Sequence, residues 1–192
     1  MDRREDKRGK KIVFVASCLL NTNNKVKGLA RYPGMCKEVF DTLHHYGLGI
    51  NQMQCPETLY LGIQRWWQTK NLYDSSGFRK FCRELAEQVV TYMVEYEREG
   101  YETVAVLCCD GSPTCGADVT SWDDRWGGSP VELDYNEAII QGSGVYIEEL
   151  KKEIEARGVK MPPFYGLALD DESVDMDKIL ADFDGFIQGV LA

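Results

Sequence analysis

Thr103-Val104-Ala105-Val106-Leu107-Cys108-Cys109-Asp110-Gly111-Ser112-Pro113-Thr114-Cys115-Gly116 is an apolar run that stops abruptly in turn chemistry. Five apolar or β-branched residues in succession read as a strand buried on both faces, as in a parallel sheet. Asp110-Gly111-Ser112-Pro113 then ends it, because glycine permits unusual φ and proline fixes φ and removes a donor. The turn carries Cys115 into a loop whose successive backbone N–H groups can cradle an anion, here a thiolate or a cluster sulfide.

Outward from this stretch, the same alternation recurs. Residues 1–10 form a charged lead-in. Lys11 to Ser17 is a first strand, apolar throughout and therefore central, ending at Cys18. After a polar loop and the turn Arg31-Tyr32-Pro33-Gly34, Met35 to Tyr46 shows helical spacing in Met35, Val39, Phe40 and Leu43, with Gly47 as its cap. Leu48 to Gln54 is a second strand, ending at Cys55-Pro56-Glu57, and 59–73 reads as a loop with a short helix. Asp74-Ser75-Ser76 caps a long helix to about Glu99, with Phe78, Phe81, Cys82, Leu85, Val89, Tyr92, Met93 and Tyr96 on one stripe.

Beyond the central stretch, residues 117–141, with Trp122, Trp126, Gly127, Gly128 and Pro130, have no clear period and read as a binding loop or lid. Gly142-Ser143-Gly144 opens a helix to about Arg157, either holding a phosphate on its free N–H groups or packing closely as a small cap. Pro163 to Leu169 is a fourth strand, and Asp175 to Leu191 a final amphipathic helix. Strands alternating with helices predict a single α/β domain over 11–192, a parallel sheet sandwiched by helices in a doubly wound, Rossmann-like arrangement.

Composition bounds the function. A chain of 192 residues buries about 70% of its unfolded surface and needs no disulfide staples. The net charge of −9 argues against a nucleic-acid backbone as partner, since no global positive field is present to release counterions. No apolar run approaches the roughly 20 residues of a membrane span. Ile12 to Leu20 is short and continues a strand pattern, so it is read as a strand and not as a secretory core, and a cytoplasmic protein is expected. The seven cysteines show no CxxC and no Cys/His finger spacing. In a reducing compartment they serve packing, metal ligation or catalysis.

Three of them stand where chemistry is expected. Cys18 follows the first strand, Cys55 the second, and Cys115 the turn after the third. The carboxyl ends of parallel strands open on one edge, which is where ligands bind, so these three should converge. Three soft thiolates without a fourth suit a metal or cluster with one open position; an iron–sulfur cluster is the preferred filling and zinc the alternative. Glu57 and Ser112 sit beside these ligands, where a carboxylate moves protons and a hydroxyl orients a substrate. Cys82 belongs to a helix stripe and reads as core; of the adjacent Cys108 and Cys109, at most one faces the site. His44 and His45, in a last helical turn, are poor ligand candidates.

Ser17-Cys18-Leu19-Leu20, Arg31-Tyr32-Pro33-Gly34, Cys55-Pro56-Glu57, Ser112-Pro113-Thr114-Cys115-Gly116 and Gly142-Ser143-Gly144-Val145, in that order, resemble the thiouracil desulfurase (TudS-like) family over about 11–160. The resemblance implies a [4Fe–4S] cluster held by Cys18, Cys55 and Cys115, its fourth iron open to the sulfur of a thiolated nucleobase or nucleoside. It implies non-redox, hydrolytic conversion of C=S to C=O, with Glu57 as acid/base and Ser112 as an orienting hydroxyl. The chain departs from the family's pattern at Asn21, Ala30 and Pro33, and over Leu61-Gly62-Ile63-Gln64-Arg65-Trp66-Trp67, all beside the substrate and not at the ligands. Two other readings stay open: a non-catalytic iron–sulfur protein that carries sulfur or senses oxygen, and a zinc-stabilised small-molecule-binding domain. Tyr60, Trp66, Trp67, Trp122 and Trp126 either stack on a flat heterocycle or pack in the core.

Overall fold

The computed structural model describes residues 5–129, 132, 134–169 and 175–192. The first four residues of the charged lead-in, and Pro130, therefore lie outside the described residues. The lengths and order of the elements are those of a doubly wound α/β domain. Strands β1 (Lys11–Ala16), β2 (Gly49–Met53), β3 (Glu102–Cys109) and β6 (Phe164–Leu167) form one parallel sheet in the order β2-β1-β3-β6. A short antiparallel pair, β4 (Val119–Ser121) and β5 (Ile139–Gln141), lies apart from it.

Burial explains this order. Val13, Phe14, Val15 and Ala16 of β1 are buried, as are Val104 to Cys109 of β3, and these two apolar strands take the centre. β2 (Gly49-Ile50-Asn51-Gln52-Met53) buries only Met53, which fits an edge strand open on one side. A single helical turn, α1 (Ser17–Leu20), follows β1; helices α2 (Lys37–His45) and α7 (Met176–Leu191) pack together, and α5 (Ser76–Arg98) packs against α6 (Val145–Ala156). The stripe on α5 is Phe78, Cys82, Leu85, Ala86, Val89, Val90 and Met93, so Cys82 is core as read. Tyr92 is more than half exposed and leaves that stripe, because 100° steps over 23 residues carry it around the helix.

Two segments differ from the reading of the sequence. Residues 56–73 hold two short helices, α3 (Pro56–Leu61) and α4 (Lys70–Tyr73), on either side of a turn. Residues 117–141, read as a loop, contain the β4–β5 pair and a 3₁₀ turn at Asn136–Ala138, since three-residue strands are too short to show a period. No helix among the described residues is long and apolar enough to cross a membrane.

The chain leaves β1 toward one edge and β3 toward the other, so the topological switch point lies between them, at the carboxyl ends carrying Cys18 and Cys109–Cys115.

Candidate functional site

A cavity of about 680 Å³ opens at this switch point. Cys18, Cys55 and Cys115 all line it, as do Glu57 and Ser112. The fold thus brings the five expected residues to one place: Cys18 from the helical turn after β1, Cys55 and Glu57 from the start of α3 after β2, and Ser112 and Cys115 from the turn after β3. Cys109 lines the same cavity while Cys108 is fully buried in the core, as the alternation of a strand requires.

Each thiol is placed by its own local structure. Ser17, at the end of β1, accepts hydrogen bonds on Oγ from Asn24 Nδ2 (2.6 Å) and Gln52 Nε2 (2.9 Å), which ties the Cys18 turn to β2. Tyr32 OH donates to the Cys18 carbonyl at 3.3 Å. Cys55 is the N-cap of α3, and its Sγ accepts from Thr58 N at 3.4 Å. Burial pushes the Cys55 thiol up, and the nearby Glu57 charge adds to this. Cys115 is pushed well above the ordinary thiol range, by burial first and then by Cys55.

The Cys115 loop is held on every side. Ser112 Oγ accepts from Cys115 N (3.0 Å) and Thr114 N (3.3 Å). Gly116 N donates to the Ser112 carbonyl, Cys109 N to the Cys115 carbonyl, and Gly111 N to the Val119 carbonyl. The N–H groups expected to cradle an anion are therefore used inside the turn itself. The start of α6 is spent in the same way: Val145 N donates to the Pro113 carbonyl, and Tyr146 N and Ile147 N donate to that of Thr114. Of the two readings of Gly142-Ser143-Gly144, close packing is what the chain adopts. A Cβ on Gly144 would stand 2.7 Å from Cys115 N and nearer still to the Thr114 carbonyl carbon.

Glu57 is buried, and both its oxygens are engaged. Oε2 accepts from Arg65 Nε (2.8 Å) and Tyr73 OH (3.3 Å), and Oε1 from Thr114 Oγ1 (2.7 Å). Arg65 is buried with it and also donates to the Asn24 carbonyl (2.7 Å) and to Thr58 Oγ1 (3.2 Å). One guanidinium thereby joins the Glu57 helix, the 22–25 turn and its own loop.

Several cavity residues were not singled out in the sequence. Lys25 Nζ donates to Cys109 Sγ at 3.8 Å, a pair separated by 84 positions. Arg31 and Asp110, which the sequence offers only as parts of turns, line the cavity as well, as do Trp67 and Tyr135. The Trp67 and Tyr135 rings lie 4.9 Å apart, tilted by 30°. The sequence offers Trp67 as a stacking aromatic; Tyr135 carries no signal there, since only the β4–β5 fold-back brings it to the site. Trp66 points away and is exposed, and Tyr60 packs edge-on against Phe78.

Among the described residues, no group of three or more Cys, His, Asp or Glu side chains is gathered closely enough to hold a metal ion. Cys18, Cys55 and Cys115 line the one cavity from three segments distant in sequence: the helical turn after β1, the start of α3 and the turn after β3.

Fold and site together define a doubly wound α/β domain with a thiol-lined cavity at its switch point. The chain is 32% identical over 148 residues, 77% of its length and 80% of the relative's, to the uncharacterized protein MJ0003 of Methanocaldococcus jannaschii, and it belongs to the same family. No protein-family model and no solved structure matches the chain.

Proposed function

We propose that this protein is an iron–sulfur-dependent desulfurase that removes sulfur from a small thiolated compound such as a thiolated nucleobase or nucleoside. One observation carries the reading: Cys18, Cys55 and Cys115, from three parallel strand ends, line a single cavity together with a buried, ion-paired Glu57. The donor set fits a [4Fe–4S] cluster. All three donors are soft thiols lining one cavity, the ligand chemistry that such a cluster would take, and Cys18, Cys55 and Cys115 would hold it. Burial keeps the thiols of Cys55 and Cys115 protonated at neutral pH, so ligation would release their protons.

When bound, such a cluster supplies a thiophilic open iron that polarises a C=S carbon and takes up sulfur. The chain's own residues do the rest. Arg65, Tyr73 and Thr114 hold the Glu57 carboxylate in one orientation, and Glu57 takes the proton of a water adding to the thione carbon. The Ser112 oxygen is committed to the turn, and it lies 3.4 Å from Thr114 Oγ1, whose own hydrogen goes to Glu57, so the Ser112 hydroxyl donates to Thr114 and turns to a substrate acceptor only by giving up that bond. Trp67 and Tyr135 offer a flat wall to a heterocycle. The cavity volume lies within the range typical of small-molecule sites.

The test is sulfide release from thiouracils and thiouridines by the anaerobically purified protein, beside Glu57→Gln. The expected result is a loss of roughly 100-fold or more in the variant with unchanged cluster content. Equal sulfide release by both proteins would refute the role of Glu57, and no release by either would favour a sulfur carrier.

A further inference from the structure

Two further carboxyl side chains line the cavity and are not used by the reading above: the exposed Asp134 and the half-buried Asp110. Asp110 directly follows the last residue of β3 and lines the cavity beside Cys109. Its Oδ1 accepts from Ala117 N (2.8 Å) and Asp118 N (3.1 Å). The neighbouring strand makes room for it. Gly166 on β6 faces it across the sheet edge, and a Cβ on Gly166 would overlap the Asp110 carboxyl. Among the described residues, Asp110 forms no ion pair with a Lys or Arg, in contrast to Glu57 on Arg65.

We propose that Asp110 is a second catalytic carboxyl of this cavity, the acid that protonates the departing sulfur while Glu57 accepts the proton of water. The assignment rests on the desulfurase reading. Its environment suits the task. Burial raises the Asp110 carboxyl above the ordinary aspartate value, and the like charge of Asp118 acts the same way, against hydrogen bonds from Ala117, Asp118 and Val119. The other titratable groups around it are Cys108 on its own strand with Lys151 of α6 near it, Tyr165 on β6 with Asp182 of α7 near it, and Cys109, Lys25, Arg31 and Asp134 on the cavity wall. Two carboxyls in unlike surroundings, one ion-paired and one not, can divide base and acid work between them.

The step balances. Water adds to the thione carbon, a C–O bond forms, and one water proton passes to Glu57. The C–S bond then breaks with its electron pair going to sulfur, which takes a proton from Asp110. The remaining hydroxyl proton leaves as the carbonyl forms. Sulfide gains its second proton from solvent, and solvent exchange restores both carboxyls. The sum is R₂C=S plus H₂O giving R₂C=O plus H₂S, with no electron transferred.

Asp110→Asn tests this, since the amide oxygen can still accept from Ala117 and Asp118. We expect cluster content and KM unchanged, kcat down by roughly 100-fold, and loss of the decline on the basic side of the kcat profile. Wild-type kcat in the variant, or an unaltered basic limb, overturns the assignment and leaves the desulfurase reading intact. If the wild type, fully loaded, releases no sulfide, the reading itself fails and the assignment falls with it. Should the variant not fold, carboxyl ¹³C NMR of the wild-type protein decides: Asp110 titrating above its ordinary value supports the acid, and titrating at or below it overturns the acid.

Discussion

Arg65→Met removes the cation that offsets Glu57 inside the protein. Both side chains are almost fully buried, at 3% and 8% exposure, so water cannot replace the guanidinium. The variant loses the 2.8 Å bond to Glu57, the 2.7 Å bond to the Asn24 carbonyl and the 3.2 Å bond to Thr58. Breaking a buried pair from one side costs about 3–5 kcal/mol, chiefly because a charge is left uncompensated. For a chain of this size that is roughly 6–20 °C in melting temperature. Urea unfolding followed by circular dichroism at pH 8 measures it directly. The double variant Glu57→Gln, Arg65→Met should recover part of the stability, because no buried charge is then left unpaired. A loss below about 1 kcal/mol in Arg65→Met, the value of an exposed pair, would refute the claim that this pair is a buried electrostatic unit. So would a double variant no more stable than Arg65→Met.

Gly144→Ala should destabilise by about 1–3 kcal/mol and perturb the Cys115 loop, since the added Cβ meets the backbone at 114–115; calorimetry checks this. Ser112→Ala strands the N–H groups of Thr114 and Cys115 and should cost about 1–3 kcal/mol in urea unfolding. Glu149 is buried at the α5–α6 contact, where burial works against its charge but Lys152, Arg79 and Arg83 outweigh it and hold its carboxyl below the ordinary value. A lowered folded-state value means that the stability it contributes is present above about pH 4.5 and is lost as the pH falls through the folded value. Glu149→Gln should therefore lower stability at pH 7 and flatten the acid limb of a stability-versus-pH curve; a parallel curve displaced downward would contradict this.

Much of the fold was readable in the sequence because β1 and β3 are so apolar. Val13 to Ala16 and Val104 to Leu107 could be little other than central strands, and a parallel sheet then carries Cys18, Cys55 and Cys115 to a common edge. Ser112 was visible as a turn residue of the motif, though not that its oxygen caps the Cys115 turn. The hidden parts all depend on contacts between distant segments. Arg65 sits in a stretch without a period, and only the turn after α3 aims it back at Glu57. Lys25 reaches Cys109 across 84 positions, which no local pattern can announce. Tyr135 arrives through a pair of three-residue strands, too short to alternate visibly. The anion cradle expected at the Cys115 turn failed for a related reason, because α6 and the Ser112 hydroxyl take up the backbone groups that the turn alone would leave open.

Iron and acid-labile sulfide content after strictly anaerobic purification, beside Cys18→Ala, Cys55→Ala and Cys115→Ala, tests the central claim most directly. The account predicts about four iron and four sulfide per chain in the wild type and their loss in each variant. Zinc without sulfide, or no metal after anaerobic reconstitution, would contradict it.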